Sequence, residues 1–245
     1  MKHLIVGVGI VGDATGYMLK YLKQDVVYYD IDDNKLKGRK VCYIESEIDV
    51  IWICTAEWDI DSAIKPYAGT NKIVVIRSTT KPGETVAYGK KYHIKNIAHI
   101  PEFLRANSAR LDAITPDRVV IGASVPSIYE KLCFLNELGY TYYTYPNVSE
   151  MIKLVANAYL STQISFWNEI RLICSSHLLN SQHIIDIVKK DKRIGNYGTC
   201  DLGAFGGFCL PKDLKQLIFA AKQSGCGTWI LQAVEMVNGY VKRLR

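Results

Sequence analysis

Up to residue 146, apolar residues come in short unbroken blocks; beyond it they recur at helical spacing. The blocks lie at 4–7, 26–30, 49–54, 72–77 and 97–100, with another opening at Arg118 and a tyrosine-rich one at 140–145. Unbroken apolar runs of this length predict strands buried on both faces. Helical patterns intervene, one running through Leu22 and one over 127–138. This alternation predicts an α/β fold with a doubly wound, mostly parallel sheet, and ligands at the carboxyl ends of its strands. From Asn147 the pattern changes. Asn147-Val-Ser-Glu150 reads as a capping box. Behind it Ile152, Val155, Ala156, Tyr159, Leu160, Ile164 and Trp167 mark a long helix, with no Pro or Gly until well past Leu179. Further helices are expected over 184–190, from Pro211, and from Thr228, which can cap the last one. The expected organisation is an α/β domain over 1–146 and a helical domain with a long central helix over 147–245.

The first strand runs into Gly7-Val-Gly9-Ile-Val-Gly12 and a helix, and the second strand ends at Asp30. Strand, glycine turn, helix, strand and acid together form the Rossmann-like dinucleotide-binding fingerprint, of which the glycines alone are a weak part. Gly7, Gly9 and Gly12 permit the tight turn and the approach of a pyrophosphate to the helix N-terminus. Asp30 stands where a ribose-binding carboxylate is expected. Its charge would repel a 2′-phosphate, which favours NAD over NADP.

A second constellation lies far along the chain, at Gly203-Ala-Phe-Gly-Gly-Phe-Cys209-Leu-Pro-Lys-Asp213. Gly206 and Gly207 let the backbone come close to a ligand. Cys209 stands at a helix start, where the macrodipole and Lys212 favour a thiolate. The residues alone leave two readings, a nucleophile or a structural cysteine beside a flexible loop. Lys153 and Asn157, four apart on the long helix, share a face with Glu150. By spacing alone they are an ion pair and a buried amide.

The cysteine segment resembles the active-site loop of the nucleotide-sugar dehydrogenases, the UDP-glucose/GDP-mannose dehydrogenase family. Its pattern is close to G-F/Y-G-G-x-C-x-P-K-D, and the likeness is greatest to bacterial UDP-glucose 6-dehydrogenases. Ser78-Thr-Thr-Lys-Pro-Gly83 is similar to the family's Ser-Thr-Val-x-Pro-Gly, and Pro101-Glu-Phe-Leu-Arg105 to its Pro-Glu-Phe-Leu. Asp112 and Pro116-Asp-Arg-Val-Val-Ile-Gly122 match as well. So do Glu150, Lys153 and Asn157, and Ile164-Ser-Phe-Trp-Asn-Glu169. The resemblance implies oxidation of a sugar C6 alcohol to a carboxylate through a thioester on Cys209. Lys153 and Asn157 would stabilise oxyanions. Asp213, Glu102 and Thr79 would place water and relay protons. It further implies a cofactor role for Val11, Lys35, Thr79 and Lys212, and substrate contacts from Glu102, Phe103, Leu104, Arg105, Lys153, Asn157 and Gly206. A homodimer through the long helix is implied too. Two family features depart: Thr55-Ala-Glu-Trp58 replaces a Thr-Pro turn, and Ala106-Asn107 stands where a second carboxylate is expected. The resemblance covers the whole chain but stops before the family's third, UDP-binding domain. A partial chain, a natural short form, and a two-chain enzyme in which a second chain supplies that domain as a partner all fit this pattern.

Composition narrows the field. The net charge of +6 comes from scattered lysines with a modest cluster over 35–40, which points to sites for anionic ligands rather than to nucleic acid. No apolar run reaches membrane-spanning length, and the start leads straight into a strand, with no room for a signal peptide. Seven cysteines, Cys42, Cys54, Cys133 and Cys174 among them in apolar runs, together with the absence of metal-type spacing, predict reduced thiols, a cytoplasmic setting and no metal. Two other functions remain open. One is a catalytically weak NAD-binding family member acting as a partner subunit or regulator. The other is a hydroxyacid or 6-phosphogluconate type of dehydrogenase, which needs no cysteine.

Overall fold

The computed structural model describes residues 1–40 and 47–244; Cys42 lies outside them. The chain forms two compact units, Met1–Lys153 and Leu154–Arg245. The first contains β1 (Lys2–Val6), α1 (Ile10–Tyr21), β2 (Asp25–Tyr29), β3 (Val50–Ile53), α2 (Ile60–Ile64), β4 (Ile73–Ile76) and α3 (Glu84–Lys91). It continues with β5 (Ile97–His99), α4 (Ala109–Ile114), β6 (Val119–Ala123), α5 (Ser127–Lys131), β7 (Thr141–Thr144) and the first turns of α6 (Pro146–Ser176).

The strands form one sheet in the order β2-β1-β3-β4-β5-β6-β7. Neighbours run parallel except β5 and β6, which are antiparallel. The chain steps from β1 to one side and then to β3 on the other, so the winding reverses between them and opens a crevice at their carboxyl ends. Every residue of β3 and β4 is buried. Alternate residues feed two cores. Ile5, Tyr28, Trp52 and Val75 pack with Ala14, Met18 and Leu19 of α1. Leu4, Val27, Ile51 and Val74 pack with Ile60 and Ile64 of α2 on the other face. This two-sided burial is why the strands read as unbroken apolar runs.

The observed elements depart from the expected ones at several points. The helix over 127–138 is α5 followed by a 3₁₀ segment, Cys133–Leu138. Leu132, Leu135 and Leu138 are all buried; three residues per turn keeps this triplet on the core, whereas an α-helix would rotate it away. The capping box does not form. Ser149 and Glu150 are fully buried. The Ser149 hydroxyl donates to the His99 carbonyl at 3.0 Å, and Glu150 accepts from Gly83 and Thr85. The helix starts instead at Pro146, whose missing N–H costs nothing there. These anchors hold the first turns of α6 in the first compact unit, whose last residue is Lys153. The long helix also ends earlier than its pattern, at Ser176. Leu178 takes a left-handed φ of 57° and the Asn180 side chain caps α7 (Ser181–Val188), so the chain reverses without Gly or Pro.

The second unit comprises the rest of α6, α7, α8 (Cys209–Gln223) and α9 (Trp229–Arg243). Ala158 and Ile164 pack with Phe205, Leu214, Ile218 and Val234. Thr228 holds the cap position of α9 without capping it; its hydroxyl accepts from the Gln232 amide at 2.6 Å instead. Cys133, expected in an apolar setting, is exposed, whereas Cys54 and Cys174 are buried.

Candidate active site

In the first unit, Gly7 follows β1 with φ of 88°, a conformation that favours glycine. A Cβ on Gly12 would lie 1.9 Å from the Gly7 carbonyl oxygen, so the turn closes only without side chains. Helix α1 begins after Gly9 with no side-chain cap, which leaves first-turn amides directed at the crevice mouth. Asp30 directly follows β2, and its Oδ2 accepts the Val8 N–H at 2.6 Å. Its Oδ1 accepts the Asp32 N–H at 2.9 Å and lies 3.6 Å from Lys35 Nζ. Burial alone would raise the Asp30 carboxyl; the Val8 and Asp32 amides and Lys35 outweigh it and hold the group below the usual range. The Val11 carbonyl takes the Thr15 hydroxyl at 2.7 Å. At the end of β3, the Thr55 side chain sits against the space beside Gly7, and its buried hydroxyl oxygen has no partner among the described residues. A glycine cradle, a fixed carboxylate and an orphaned hydroxyl fit a dinucleotide. Thr55 had been obscured in the sequence by the absence of the expected proline; its position directly after β3 was the available signal.

Farther along the same sheet edge, Thr79 is half-buried in the turn after β4. The loop after β5 carries Glu102, Phe103, Leu104 and Arg105. Lys153 donates to the Glu102 carbonyl at 2.6 Å and to its carboxylate at 2.9 Å, and both side chains are almost fully buried. The other Glu102 oxygen accepts the Leu104 N–H at 2.9 Å. Arg118 lies 4.0 Å and Lys153 5.5 Å from the Phe103 ring centroid. The Arg105 side chain is largely exposed. It forks onto Asp112 with bonds of 2.6 and 3.1 Å, which fastens the loop and, by those hydrogen bonds, holds the Asp112 carboxyl well below the usual range. Ala106 opens a 3₁₀ turn, Ala106–Ser108. Arg118 and Glu150 were visible in the sequence only as matched motif positions, because their partners lie far away along the chain.

In the second unit, the cysteine loop is shaped by two glycines, Gly203 (φ 63°) and Gly207 (φ 71°). Buried Asn168 donates to the Gly203 carbonyl at 2.8 Å. Asn238 clasps both backbone groups of Phe205, at 2.7 and 3.0 Å. Asn168 lies in the matched 164–169 motif, whereas Asn238 is signalled only as a polar residue within an apolar helical pattern. Gly206 is exposed. Cys209 is also exposed and is the first residue of α8, inside the helix rather than ahead of it. One turn on, fully buried Asp213 accepts from Asn157 at 2.5 Å and pairs with Lys212 at 2.6 Å. Lys212 is thus committed to a carboxylate. The two expected oxyanion donors are committed likewise, Lys153 to Glu102 and Asn157 to Asp213, since a buried cation or amide left alone would be costly.

Two family models match the chain. The UDP-glucose/GDP-mannose dehydrogenase family NAD-binding domain matches residues 48–137 and the central domain of the same family residues 147–240. A UDP-glucose 6-dehydrogenase of Campylobacter jejuni is 32% identical over 89% of this chain and 67% of its own length. A putative UDP-glucose 6-dehydrogenase of Bacillus subtilis is 31% identical over 76% of this chain and 46% of its own length. The chain thus spans about half to two thirds of these relatives. The structure of a UDP-glucose dehydrogenase from Pyrobaculum islandicum superposes with a TM-score of 0.88, at 24% identity, over 98% of this chain and 68% of that one; it bears on the fold.

Proposed function

Since the chain belongs to the UDP-glucose/GDP-mannose dehydrogenase family, we propose that it oxidises the C6 alcohol of a UDP-glucose-type nucleotide sugar to the carboxylate through a thioester on Cys209. NAD, the family's cofactor, supplies the hydride acceptor for both oxidations. Gly7, Gly9, Gly12 and Val11 would cradle it by their backbone, and Asp30, with Lys35 beside it, would take the ribose. Thr79 and Lys212 are proposed as further cofactor contacts.

At the aldehyde level, the Cys209 sulfur adds to the carbonyl carbon to form a thiohemiacetal. Lys153 and Asn157 donate to the oxygen as it gains charge. For this they exchange their carboxylate partners, Glu102 and Asp213, for the substrate oxygen. The freed carboxylates, with Thr79, hold the water that hydrolyses the thioester and accept its proton. Glu102, Phe103, Leu104, Arg105, Lys153, Asn157 and Gly206 are proposed to line the substrate side. The observation that supports this reading best is Cys209 itself. It is an exposed thiol position at the first residue of a helix, one turn from a buried carboxylate that holds an amide and an ammonium.

The assay is NADH formation from NAD and UDP-glucose, followed by absorbance. Two NADH per sugar acid, abolished by Cys209→Ala, is expected; full turnover by Cys209→Ala would overturn the mechanism. Ala106, at the place of the family's second carboxylate, favours a second reading, an NAD-binding partner subunit of low activity. Tight NAD binding without NADH formation would select it. Homodimerisation is proposed through α6, where Val155, Tyr159 and Phe166 are exposed at helical spacing. Among the described residues no helix is long and apolar enough to cross a membrane, and a cytoplasmic location is proposed.

A further inference from the structure

The cap position of helix α3 is Gly83, which has no side chain to cap it and takes φ of 94°. Its cap comes from 67 residues away. Glu150, on the first turns of α6, accepts the Gly83 N–H at 2.5 Å with Oε2. Its Oε1 accepts the Thr85 N–H at 2.8 Å and the Thr80 hydroxyl at 3.1 Å. A local Ser or Asp would cap this helix just as well, so capping alone does not explain a fully buried carboxylate, with its desolvation cost, brought from another element.

What the arrangement adds is a fixed turn. The stretch from Ser78 to Gly83 is pinned at one end by the Ser78 hydroxyl, which donates to the Thr55 carbonyl at 2.6 Å. Glu150 pins the other end through Thr80 and Gly83. Thr79 stands between the two pins. Three residues beyond Glu150, Lys153 is bonded to Glu102. We infer that Glu150 is a positioning residue that sets the Thr79 turn in register with the helix carrying Lys153. It touches no reactant. This rests on the proposed cofactor contact of Thr79.

Glu150→Gln keeps the shape but turns an amide N–H towards backbone donors. Two measurements on the full chain test it: NAD affinity by calorimetry, and hydrogen exchange of the Gly83 and Thr85 amides. Both amides should exchange faster, and the NAD dissociation constant should rise by about tenfold, the weight of one charged hydrogen bond. The rate of Cys209 alkylation should not change. Thr80→Val removes one donor without touching the carboxylate and should move both readouts the same way by a smaller factor, about twofold; it serves if the first variant does not fold. Unchanged exchange overturns the inference. Faster exchange with wild-type NAD affinity, while Thr79→Ala weakens NAD binding, reduces Glu150 to a helix cap and also overturns it. If Thr79→Ala binds NAD at full strength, the Thr79 assignment itself has failed and the positioning role falls with it.

Discussion

Replacing Lys153 by Met should expose how much of the first unit depends on one buried ion pair. The Lys153 and Glu102 side chains are 4% and 7% exposed, so solvent screens the pair little. Lys153→Met leaves the Glu102 carboxylate buried with the Leu104 N–H and loses two lysine hydrogen bonds. Breaking a buried pair from one side costs about 3–5 kcal/mol, because the remaining charge is left uncompensated. For a chain of this size that corresponds to a melting-point drop of roughly 6–20 °C. Adding Glu102→Gln removes the stranded charge while its amide oxygen can still take the Leu104 N–H. The double variant should therefore lie only about 1–2 kcal/mol below the wild type. Urea unfolding of the four proteins of this cycle, followed by circular dichroism and tryptophan fluorescence, measures the coupling directly. A cost below about 1 kcal/mol for Lys153→Met, or a double variant as unstable as the sum of the singles, would refute the claim that this is a desolvated, coupled pair.

Gly12→Ala places a methyl 1.9 Å from the Gly7 carbonyl oxygen; calorimetry should find NAD binding weakened by at least about tenfold, and wild-type affinity would contradict the cradle. Burial lowers His3 to about 4 and His99 to about 3. Between pH ~6.5 and those values the unfolded chain takes up protons that the folded chain refuses, so stability falls on acidification, by up to about 1.4 kcal/mol per pH unit for each histidine. Urea midpoints at pH 7, 6 and 5 should show the decline, and His99→Asn should flatten it; a profile identical to the wild type would count against the assignment. Tyr159→Glu puts a charge in the exposed apolar stripe of α6 and should shift light-scattering mass from dimer to monomer, with NAD affinity kept; an unshifted dimer would place the interface elsewhere.

The sequence by itself determined the sheet, because strands buried on both faces must be apolar at every position and so write their own boundaries. It determined the dinucleotide turn as well, since the close approach of Gly12 to Gly7 tolerates no side chain. The family too was legible, in motifs long enough to be specific. Where local rules failed, a distant partner had won. Asn147 and Glu150 look like the two ends of a capping box until the start of α3, far back in the chain, claims the Glu150 carboxylate. Arg105 reads only as a motif position until the fold sets Asp112 under its fork. Leu132, Leu135 and Leu138 fit an α-helix until the core asks for all three at once. Only the tertiary structure decided which carboxylate each buried cation or amide would hold, Glu102 for Lys153 and Asp213 for Asn157. Desolvation makes such pairing obligatory, while the sequence leaves the choice of partner open.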